Sequence, residues 1–218
     1  MPKVGVVLSG CGVFDGSEIH ETTLTLLNLD KKGVEIIIMA PNIEQKDVIN
    51  HLNQEPLNEK RNVLIESARI ARGNVVDIKN VKAEEIDALI FPGGFGAAKN
   101  LSDFATKGED CQLNPDVERL IKDMHKLGKP MGFICISPVL AAKALGGKVQ
   151  VTIGNDPNVS KAIEKMGAYH IECPSDMAVV DSKNKVVSTP AYMLASSIKE
   201  LESGIKMLVK NVLKLIKN

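Results

Sequence analysis

The chain has 218 residues, with 27 Lys and Arg against 27 Asp and Glu, so its formal net charge is zero. Without a positive field, general binding to nucleic acid or to an anionic membrane is disfavoured. Aromatic residues make up 3% of the chain, which argues against base-stacking platforms. The four cysteines form no C-x-x-C pair, so we expect no structural metal.

The first residues lead directly into an apolar strand and lack the basic region and long apolar stretch of a signal peptide. No stretch approaches the roughly 18 apolar residues that a membrane span requires. We therefore expect a cytoplasmic protein whose cysteines are reduced.

Short β-branched runs alternate with segments of helical periodicity, which is typical of a parallel sheet covered by helices. The predicted elements are, in chain order, strand 4–8, helix 22–32, strand 34–39, helix 60–72, strand 87–91, helix 115–127, strand 131–134, strand 149–153, helix 157–166, hairpin 178–188 turning at 182–184, and helix 196–217. Because no linker or repeat interrupts them, residues 1–218 are predicted to form a single doubly wound, flavodoxin-like α/β domain, with a mostly parallel sheet and helices on both faces.

The last predicted helix allows two interpretations. Its lysines would suit a helix lying on a membrane surface. Its apolar residues at helical spacing instead favour an ordinary core-facing stripe, formed by Ile205, Leu208, Val212 and Leu215.

In an open parallel sheet, ligands bind beyond the carboxyl ends of the strands, which directs attention to the loops after the first, third and fourth main strands. The first loop, residues 9–16, carries glycines spaced G-x-G-x-x-x-G, a near miss of the dinucleotide fingerprint. The second strand ends in Ala-Pro-Asn, without the acidic residue that would hold a ribose. A nucleotide site is therefore the weakest of the functional interpretations.

The second loop, residues 91–98, reads FPGGFGAA. Glycines at the end of a buried strand bring bare N–H groups close to a ligand, which is how an oxyanion or phosphate site is built. A simple tight turn is the alternative.

In the third loop a strand ends on Cys135, and Pro138 stands where a helix can begin. A thiol on such a turn points out of the sheet edge. The helix N-terminus would stabilise its thiolate, so we expect a lowered pKa and a nucleophile. The alternative is a free cysteine packed as a small hydrophobe.

The thiol needs a proton partner, and no histidine adjoins Cys135 in the sequence. His125 lies in the last turn of a predicted helix and His51 in a polar loop. Glu18 and Glu21 follow the first loop and should share the sheet edge with Cys135. A carboxyl beside a thiolate and away from water has a raised pKa and can exchange protons near neutral pH.

Other residues are weaker candidates. Candidate pocket residues with equally good interpretations as caps, turn residues or core polar groups are Ser17, Asn100, Tyr192 and His170. Gly93 and Glu18 are further candidates for the pocket lining. The polar stretch around Cys111 predicts an exposed loop. We also expect the phenylalanines near the loops to keep water away from the carboxyl, namely Phe14, Phe91, Phe95 and Phe133.

Together the three loops resemble the class I glutamine-amidotransferase-like superfamily of PfpI-type proteases, chaperones and deglycases, in which a first-loop Glu, a P-G-G turn and an elbow Cys follow in this order. The runs LSGCGVFDGSEIHE at 8–21 and PGGFGAAKNL at 92–101 are similar to the ElbB subfamily, known as a glyoxalase and linked to isoprenoid biosynthesis. The resemblance covers nearly the whole chain and implies a homodimer.

By this resemblance Cys135 is the nucleophile and Glu21 its acidic partner, because Glu21 stands twelve residues before Gly33, as in the family. The oxyanion donors fall on the backbone N–H groups of Gly94 and Ile136.

The chain departs from other branches of the superfamily. Proteolytic relatives place a His where Ile136 stands, and deglycase-type relatives carry a His at the position of Gly154. The His-x-Glu pair at 170–172 follows Cys135 too closely for an amidotransferase. Protease and amidotransferase activities are therefore disfavoured.

The main hypothesis is a cofactor-independent, glyoxalase III-like lyase that converts small 2-oxoaldehydes such as glyoxal to hydroxy acids such as glycolate. It would act through a Cys135 hemithioacetal, slowly, since no second base assists. An uncharged aldehyde also fits the zero net charge. The alternative is a non-catalytic sensor, in which Cys135 is oxidised or modified by an electrophile.

Overall fold

A computed structural model describes residues 1–216. The strands are, in chain order, β1 (Lys3–Val7), β2 (Glu35–Ala40), β3 (Ile49–Asn50), β4 (Glu55–Pro56), β5 (Val76–Asp77), β6 (Ala88–Phe91), β7 (Met131–Ile134), β8 (Gln150–Val151), β9 (Tyr169–His170), β10 (Val179–Asp181) and β11 (Val186–Thr189). The α-helices are α1 (Ile19–Asp30), α2 (Val63–Ile70), α3 (Phe95–Lys99), α4 (Phe104–Lys107), α5 (Pro115–Lys126), α6 (Pro138–Leu145), α7 (Pro157–Lys165) and α8 (Ile198–Ile216). Short 3-10 helices cover Ile78–Asn80, Ala83–Glu85, Gly108–Asp110 and Ala191–Met193.

The central sheet has the strand order β10-β11-β7-β6-β1-β2-β5. Its neighbouring strands are parallel, except for the antiparallel pair of β10 and β11 at one edge. The predicted flavodoxin-like α/β fold is confirmed. Because β7, β6 and β1 are neighbours, the loops that follow them meet at one edge of the sheet.

Strand side chains alternate between two core layers. In β1, Val4 and Val6 pack in the layer that includes α8, whereas Val7 packs in the layer that includes α5 and α6. The apolar stripe of α8 is buried in the first of these layers, so the core-facing interpretation is confirmed and the stripe is not available to a membrane. In residues 1–216 no helix is both long enough and apolar enough to cross a bilayer.

The predicted strand 149–153 does not join the central sheet. It is reduced to β8, which pairs with β9 in a separate two-stranded sheet. The predicted hairpin 178–188 is confirmed, and it fills the edge beside β7 as β10 and β11. The β8 segment is attached to this hairpin through side chains, since the N–H of Thr152 donates to Ser188 Oγ at 2.8 Å.

Helix boundaries differ at several ends. The predicted helix 60–72 shortens to α2, because Asn62 caps its start by accepting the N–H of Ile65. Helix α1 begins at Ile19, three residues earlier than predicted, with Glu18 as its N-cap. Lys217, the last residue of the final predicted helix, lies outside the described residues.

The predicted exposure of Cys111 is wrong. The polar segment folds back on itself through an antiparallel bridge between Ser102 and Leu113, and the N–H of Asn114 donates to Leu101 O at 2.8 Å. This closure leaves Cys111 with 0% of its surface exposed.

Candidate active site

The three loops at the carboxyl edge are bonded to one another. The N–H of Glu18 donates to Gly93 O at 3.0 Å, and the N–H of Gly96 donates to Gly16 O at 2.9 Å. Ser137 Oγ donates to Phe91 O at 2.8 Å. The loops after β1, β6 and β7 therefore form one continuous structure.

Cys135 lies on a sharp turn between β7 and α6, with a backbone φ of +62°. This left-handed conformation is unfavourable for a residue with a side chain. The turn is held by the N–H of Cys135, which donates to Thr189 O at 3.0 Å, and by Ser137 Oγ, which accepts the N–H of Ile134 at 2.7 Å. Cys135 remains 9% exposed, so the thiol is close to the surface without being open to bulk water.

Glu21 lies in the first turn of α1 and is fully buried. Its Oε2 accepts the N–H of Gly93 at 2.8 Å, and its Oε1 accepts the N–H of Tyr192 at 3.3 Å. The carboxyl also adjoins Cys135, because Glu21 Oε2 lies 2.6 Å from the position that a Cβ on Gly93 would take, and Cys135 Cβ lies against the same position. The two groups are close enough for each to shift the pKa of the other.

Gly93 stands between the two side chains. A Cβ at this position would collide with Cys135 Cβ and lie only 2.6 Å from Glu21 Oε2. Gly94 follows with a φ of +93°, a conformation that favours glycine, and its N–H acts to lower the pKa of the Cys135 thiol. The two glycines permit the close approach of backbone, thiol and carboxyl.

Burial raises the pKa of the Glu21 carboxyl to about 8, and the negative charge of Glu18 acts in the same direction. This direction is the one expected from the sequence. Glu18 itself caps α1 by accepting the N–H of Glu21 at 2.6 Å. A carboxyl with this pKa is protonated in a large share of molecules at neutral pH.

The expected lowering of the Cys135 pKa is wrong. Burial, followed by the charge of Glu21, raises the pKa of this thiol well above its ordinary range. The N–H groups of Gly94 and Ile136 face the sulfur and favour the thiolate, but they do not offset the other two effects. The resting pair is therefore a neutral thiol beside a carboxyl that is ready to exchange a proton.

Two candidate pocket residues, Ser17 and Asn100, form hydrogen bonds with the first loop. Ser17 Oγ accepts the N–H of Ser9 at 2.8 Å. Asn100 Nδ2 donates to the carbonyl oxygens of Ser9 and Asp15, both at 2.9 Å. Their described hydrogen bonds fix the backbone from which Glu18 and Glu21 extend.

His170 lies in β9, and its Nε2 accepts the N–H of Ile153 at 3.3 Å. Burial lowers the pKa of this histidine. Within residues 1–216 it is not among the groups that hydrogen-bond the Glu21 carboxyl or the Cys135 thiol.

The four phenylalanines do not form one shield around the carboxyl. Phe91 and Phe133 stack in the core with ring centroids 5.0 Å apart. Phe14 and Phe95 form another pair, 6.4 Å apart, and Phe95 is 48% exposed. Burial of Glu21 thus comes from the packing of the three loops.

The segment that follows β11 also borders the site. Tyr192 is one of the weaker pocket candidates from the sequence, and its N–H donates to Glu21. The sequence analysis does not single out Thr189, whose carbonyl oxygen accepts the N–H of Cys135. The available signal was the predicted hairpin, because a strand paired in parallel with β7 must end at the same sheet edge as Cys135. In residues 1–216 no group of three or more His, Cys, Asp and Glu side chains is arranged to hold a metal ion.

A buried carboxyl against an elbow cysteine, on this doubly wound sheet, defines a class I glutamine-amidotransferase-like protein. A sequence model of the DJ-1/PfpI family matches residues 11–197, and the chain belongs to this family. The resemblance found in the sequence is therefore confirmed.

The chain is 49% identical over 223 residues to the human "Glutamine amidotransferase-like class 1 domain-containing protein 3, mitochondrial", covering 98% of this chain and 83% of that protein. A crystal structure of an "isoprenoid biosynthesis protein with amidotransferase-like domain" from Ehrlichia chaffeensis superimposes with a TM-score of 0.93 at 39% identity, covering 99% of both chains. Glyoxalase III from Candida albicans superimposes with a TM-score of 0.62 at 14% identity, covering 99% of this chain and 96% of that chain, which shows a shared fold.

Proposed function

We propose that the protein is a cofactor-independent glyoxalase that converts small 2-oxoaldehydes to hydroxy acids, with glyoxal giving glycolate. The observation that supports this proposal is the contact between Cys135 and a buried Glu21 whose pKa is about 8. A group with a pKa near the working pH is suited both to accept and to donate a proton.

In the first step the sulfur of Cys135 attacks the aldehyde carbon C1, and the thiol proton passes to the Glu21 carboxylate. The carbonyl electron pair moves to the oxygen as the C–S bond forms. The N–H groups of Gly94 and Ile136 would hold this oxyanion. Glu21 then returns the proton to this oxygen, which gives a neutral hemithioacetal and restores the Glu21 carboxylate.

In the second step the Glu21 carboxylate removes the proton on C1. The C–H electron pair forms a C1=C2 double bond as the C2=O electron pair moves to the C2 oxygen, giving an enediolate. The protonated Glu21 carboxyl then delivers its proton to C2, while the C1 hydroxyl passes its proton to the C2 oxygen and becomes the carbonyl. The product is a thioester of glycolate on Cys135, which water hydrolyses to glycolate and the free thiol. C1 is oxidised and C2 is reduced, so the reaction needs no external oxidant or reductant.

The raised pKa of Cys135 makes the thiol a weak nucleophile until Glu21 accepts its proton. Because the proposal assigns the base role to Glu21 alone, we expect slow turnover. The rate should rise with pH through about 8, as Glu21 becomes ionised.

The direct test incubates purified protein with glyoxal and measures glycolate. We expect Cys135→Ser and Glu21→Gln each to lose at least about 100-fold in rate. Cys111→Ser is the matched control, because it removes a buried thiol elsewhere, and it should retain the rate. Equal glycolate formation by all four proteins would refute the mechanism.

The sensor alternative requires a thiol that ionises readily, and the raised pKa of Cys135 weighs against it. Accumulation of a stable Cys135 sulfinate under mild peroxide, without glyoxal turnover, would favour the sensor.

The chemistry requires a compartment that keeps Cys135 reduced. We propose the cytoplasm for this chain, whereas the human relative's name gives a mitochondrial location; cell fractionation would distinguish the two. Following the family resemblance we also propose a homodimer, which light scattering in solution would test.

A further inference from the structure

One short segment, residues 189–192 at the end of β11, contacts the backbone of Cys135 and the carboxyl of Glu21. Its first residue, Thr189, accepts the N–H of Cys135 at 3.0 Å. Its last residue, Tyr192, donates its N–H to Glu21 Oε1 at 3.3 Å. The segment therefore connects the turn that carries the thiol to the Glu21 carboxyl.

The segment is held in an unfavourable conformation. Ala191 has a φ of +48°, in the left-handed region that non-glycine residues rarely adopt. Such backbone strain persists only where surrounding contacts impose it, and it is concentrated at functional sites. Some contact must therefore keep Tyr192 in place. Backbone bonds supply part of this restraint, since Ala191 O accepts the N–H groups of Leu194 and Ala195 at 3.0 and 2.8 Å.

The contact that ties the segment to α1 is made by the Tyr192 side chain. Its hydroxyl lies 2.8 Å from His20 Nδ1, and the two ring centroids are 5.9 Å apart. His20 directly precedes Glu21 in the first turn of α1, and its side chain is 50% exposed. Tyr192 is thus joined to α1 twice, through its backbone to Glu21 and through its hydroxyl to His20.

We propose that the bond between His20 and Tyr192 is a clamp that positions the Glu21 carboxyl against Cys135. This inference rests on the proposed function, because it assigns two positioning residues to the same reaction. A displacement of about 1 Å in a catalytic group can cost about 100-fold in rate. The clamp prevents such a displacement by holding the strained segment to the helix that carries Glu21.

The clamp has a consequence for the titration of Glu21. The N–H of Tyr192 stabilises the carboxylate form, so loss of this donor would raise the pKa of Glu21 further. The other titratable groups that face this carboxyl are Glu18, Cys135 and the Tyr192 phenol. Glu18 and Cys135 remain when the clamp is broken. Because His20 Nδ1 also lies 4.0 Å from Glu18 Oε1, Tyr192→Phe, which keeps that pair, is a cleaner test than His20→Ala. The first proton would then leave the pair of Glu21 and Cys135 at a higher pH.

The test measures the rate at which iodoacetamide alkylates Cys135 as a function of pH, followed peptide by peptide with mass spectrometry. His20→Ala and Tyr192→Phe should shift the midpoint upward by at least about half a pH unit. His20→Asn retains a hydrogen-bonding atom near the position of Nδ1 and should restore the wild-type midpoint. His125→Ala, at another exposed histidine, is the control and should leave it unchanged.

The same variants are then assayed with glyoxal. We expect kcat to fall about tenfold in His20→Ala and Tyr192→Phe, with KM within a factor of two. If His20→Ala and Tyr192→Phe shift the alkylation midpoint while the wild type forms no glycolate, the clamp is supported and the proposed function is refuted. Equal alkylation midpoints in folded wild type, His20→Ala and Tyr192→Phe would overturn the clamp. If His20→Ala fails to fold, Tyr192→Phe and the His20→Asn rescue decide.

Discussion

Two regions of this molecule each carry a buried cysteine, and only one of them has the features of a reactive site. In the elbow, residues 134–137, Cys135 has a φ of +62° and lies beside the Glu21 carboxyl. In the Cys111 loop, residues 102–114, Cys111 has a φ of −60°, and its N–H donates to Gly108 O at 3.1 Å. Burial raises the pKa of both thiols.

The difference between the regions lies in what surrounds the sulfur. The Cys135 thiol faces a carboxyl whose own pKa is raised to about 8, together with two N–H groups. The charged groups that influence Cys111 are Lys143, Asp103 and Asp110, and no buried carboxyl is among them. Burial alone therefore does not identify a nucleophilic cysteine. What distinguishes Cys135 is a neighbouring carboxyl that can exchange a proton, together with backbone N–H groups that favour the thiolate.

The largest expected effect is on the pH dependence of stability. The pKa of Glu21 rises from 4.5 to about 8 on folding, so its stabilising contribution is complete below 4.5 and is lost as the pH rises through about 8. Glu21→Gln removes this titration. Between pH 5 and pH 9 the free energy of unfolding of the wild type should fall relative to Glu21→Gln by up to about 4 kcal/mol.

Urea denaturation at several pH values measures this difference. The comparison must be made between the two pH dependences, because glutamine cannot accept both N–H groups that the carboxyl accepts and thus carries a constant cost of its own. Parallel curves for the two proteins would mean that Glu21 is ionised over the whole range.

The second-largest expected effect concerns the close packing of Cys135 and Glu21 around Gly93. Gly93→Ala places a methyl group against Cys135 Cβ and Glu21 Oε2, which should reduce both glycolate formation and Cys135 alkylation by about 100-fold. Gly128→Ala is the control: Gly128 has a φ of +63° and nothing within 4 Å of the added atom, so it should lose stability and retain activity. Wild-type reactivity in Gly93→Ala would show that the contact between thiol and carboxyl is dispensable.

The third effect should appear only in stability. Cys111→Ala removes a fully buried sulfur and should lower the free energy of unfolding by about 1 kcal/mol. Glycolate formation should remain within a factor of two of the wild type. A large loss of activity would show that the two regions are coupled.

The smallest effect has the opposite pH sign to that of Glu21. The ammonium of Lys107 and the N–H of Gln112 lower the pKa of Asp103, so its contribution is present above the ordinary value of 3.8 and is lost as the pH falls below it. The side chain is 34% exposed, and after solvent screening Asp103→Asn should cost under about 1 kcal/mol near neutral pH. This difference should disappear at pH 2 to 3, which acid titration of the two proteins would measure.

Much of the fold could be predicted from local patterns. The alternation of short apolar runs and helical segments identified the sheet, and the hairpin 178–188 was placed correctly. The prediction that strand 149–153 joins the central sheet is wrong, because β-branched composition does not indicate which sheet a strand joins. In the structure side-chain bonds such as Gln150 N–H to Asp181 at 2.9 Å hold β8 against the edge hairpin.

The site shows the same division. That Cys135 and Glu21 share one edge followed from strand order and loop position. The predicted hairpin indicated that a strand ends near Thr189 and Tyr192, but not what these residues contact. Thr189 reaches Cys135 and Tyr192 reaches Glu21 only because β11 pairs with β7.

The sequence by itself determined the α/β class, the order of the three loops and the position of a thiol and a carboxyl at one sheet edge. The α/β class depends on hydrophobic periodicity, which is a local property of the sequence. The shared edge depends on topology, because the carboxyl ends of parallel strands lie at the same edge of the sheet. Only the tertiary structure decided that the Cys135 pKa is raised instead of lowered and that Cys111 is buried. Burial and charge act through space, so they depend on neighbours that the chain supplies from distant positions.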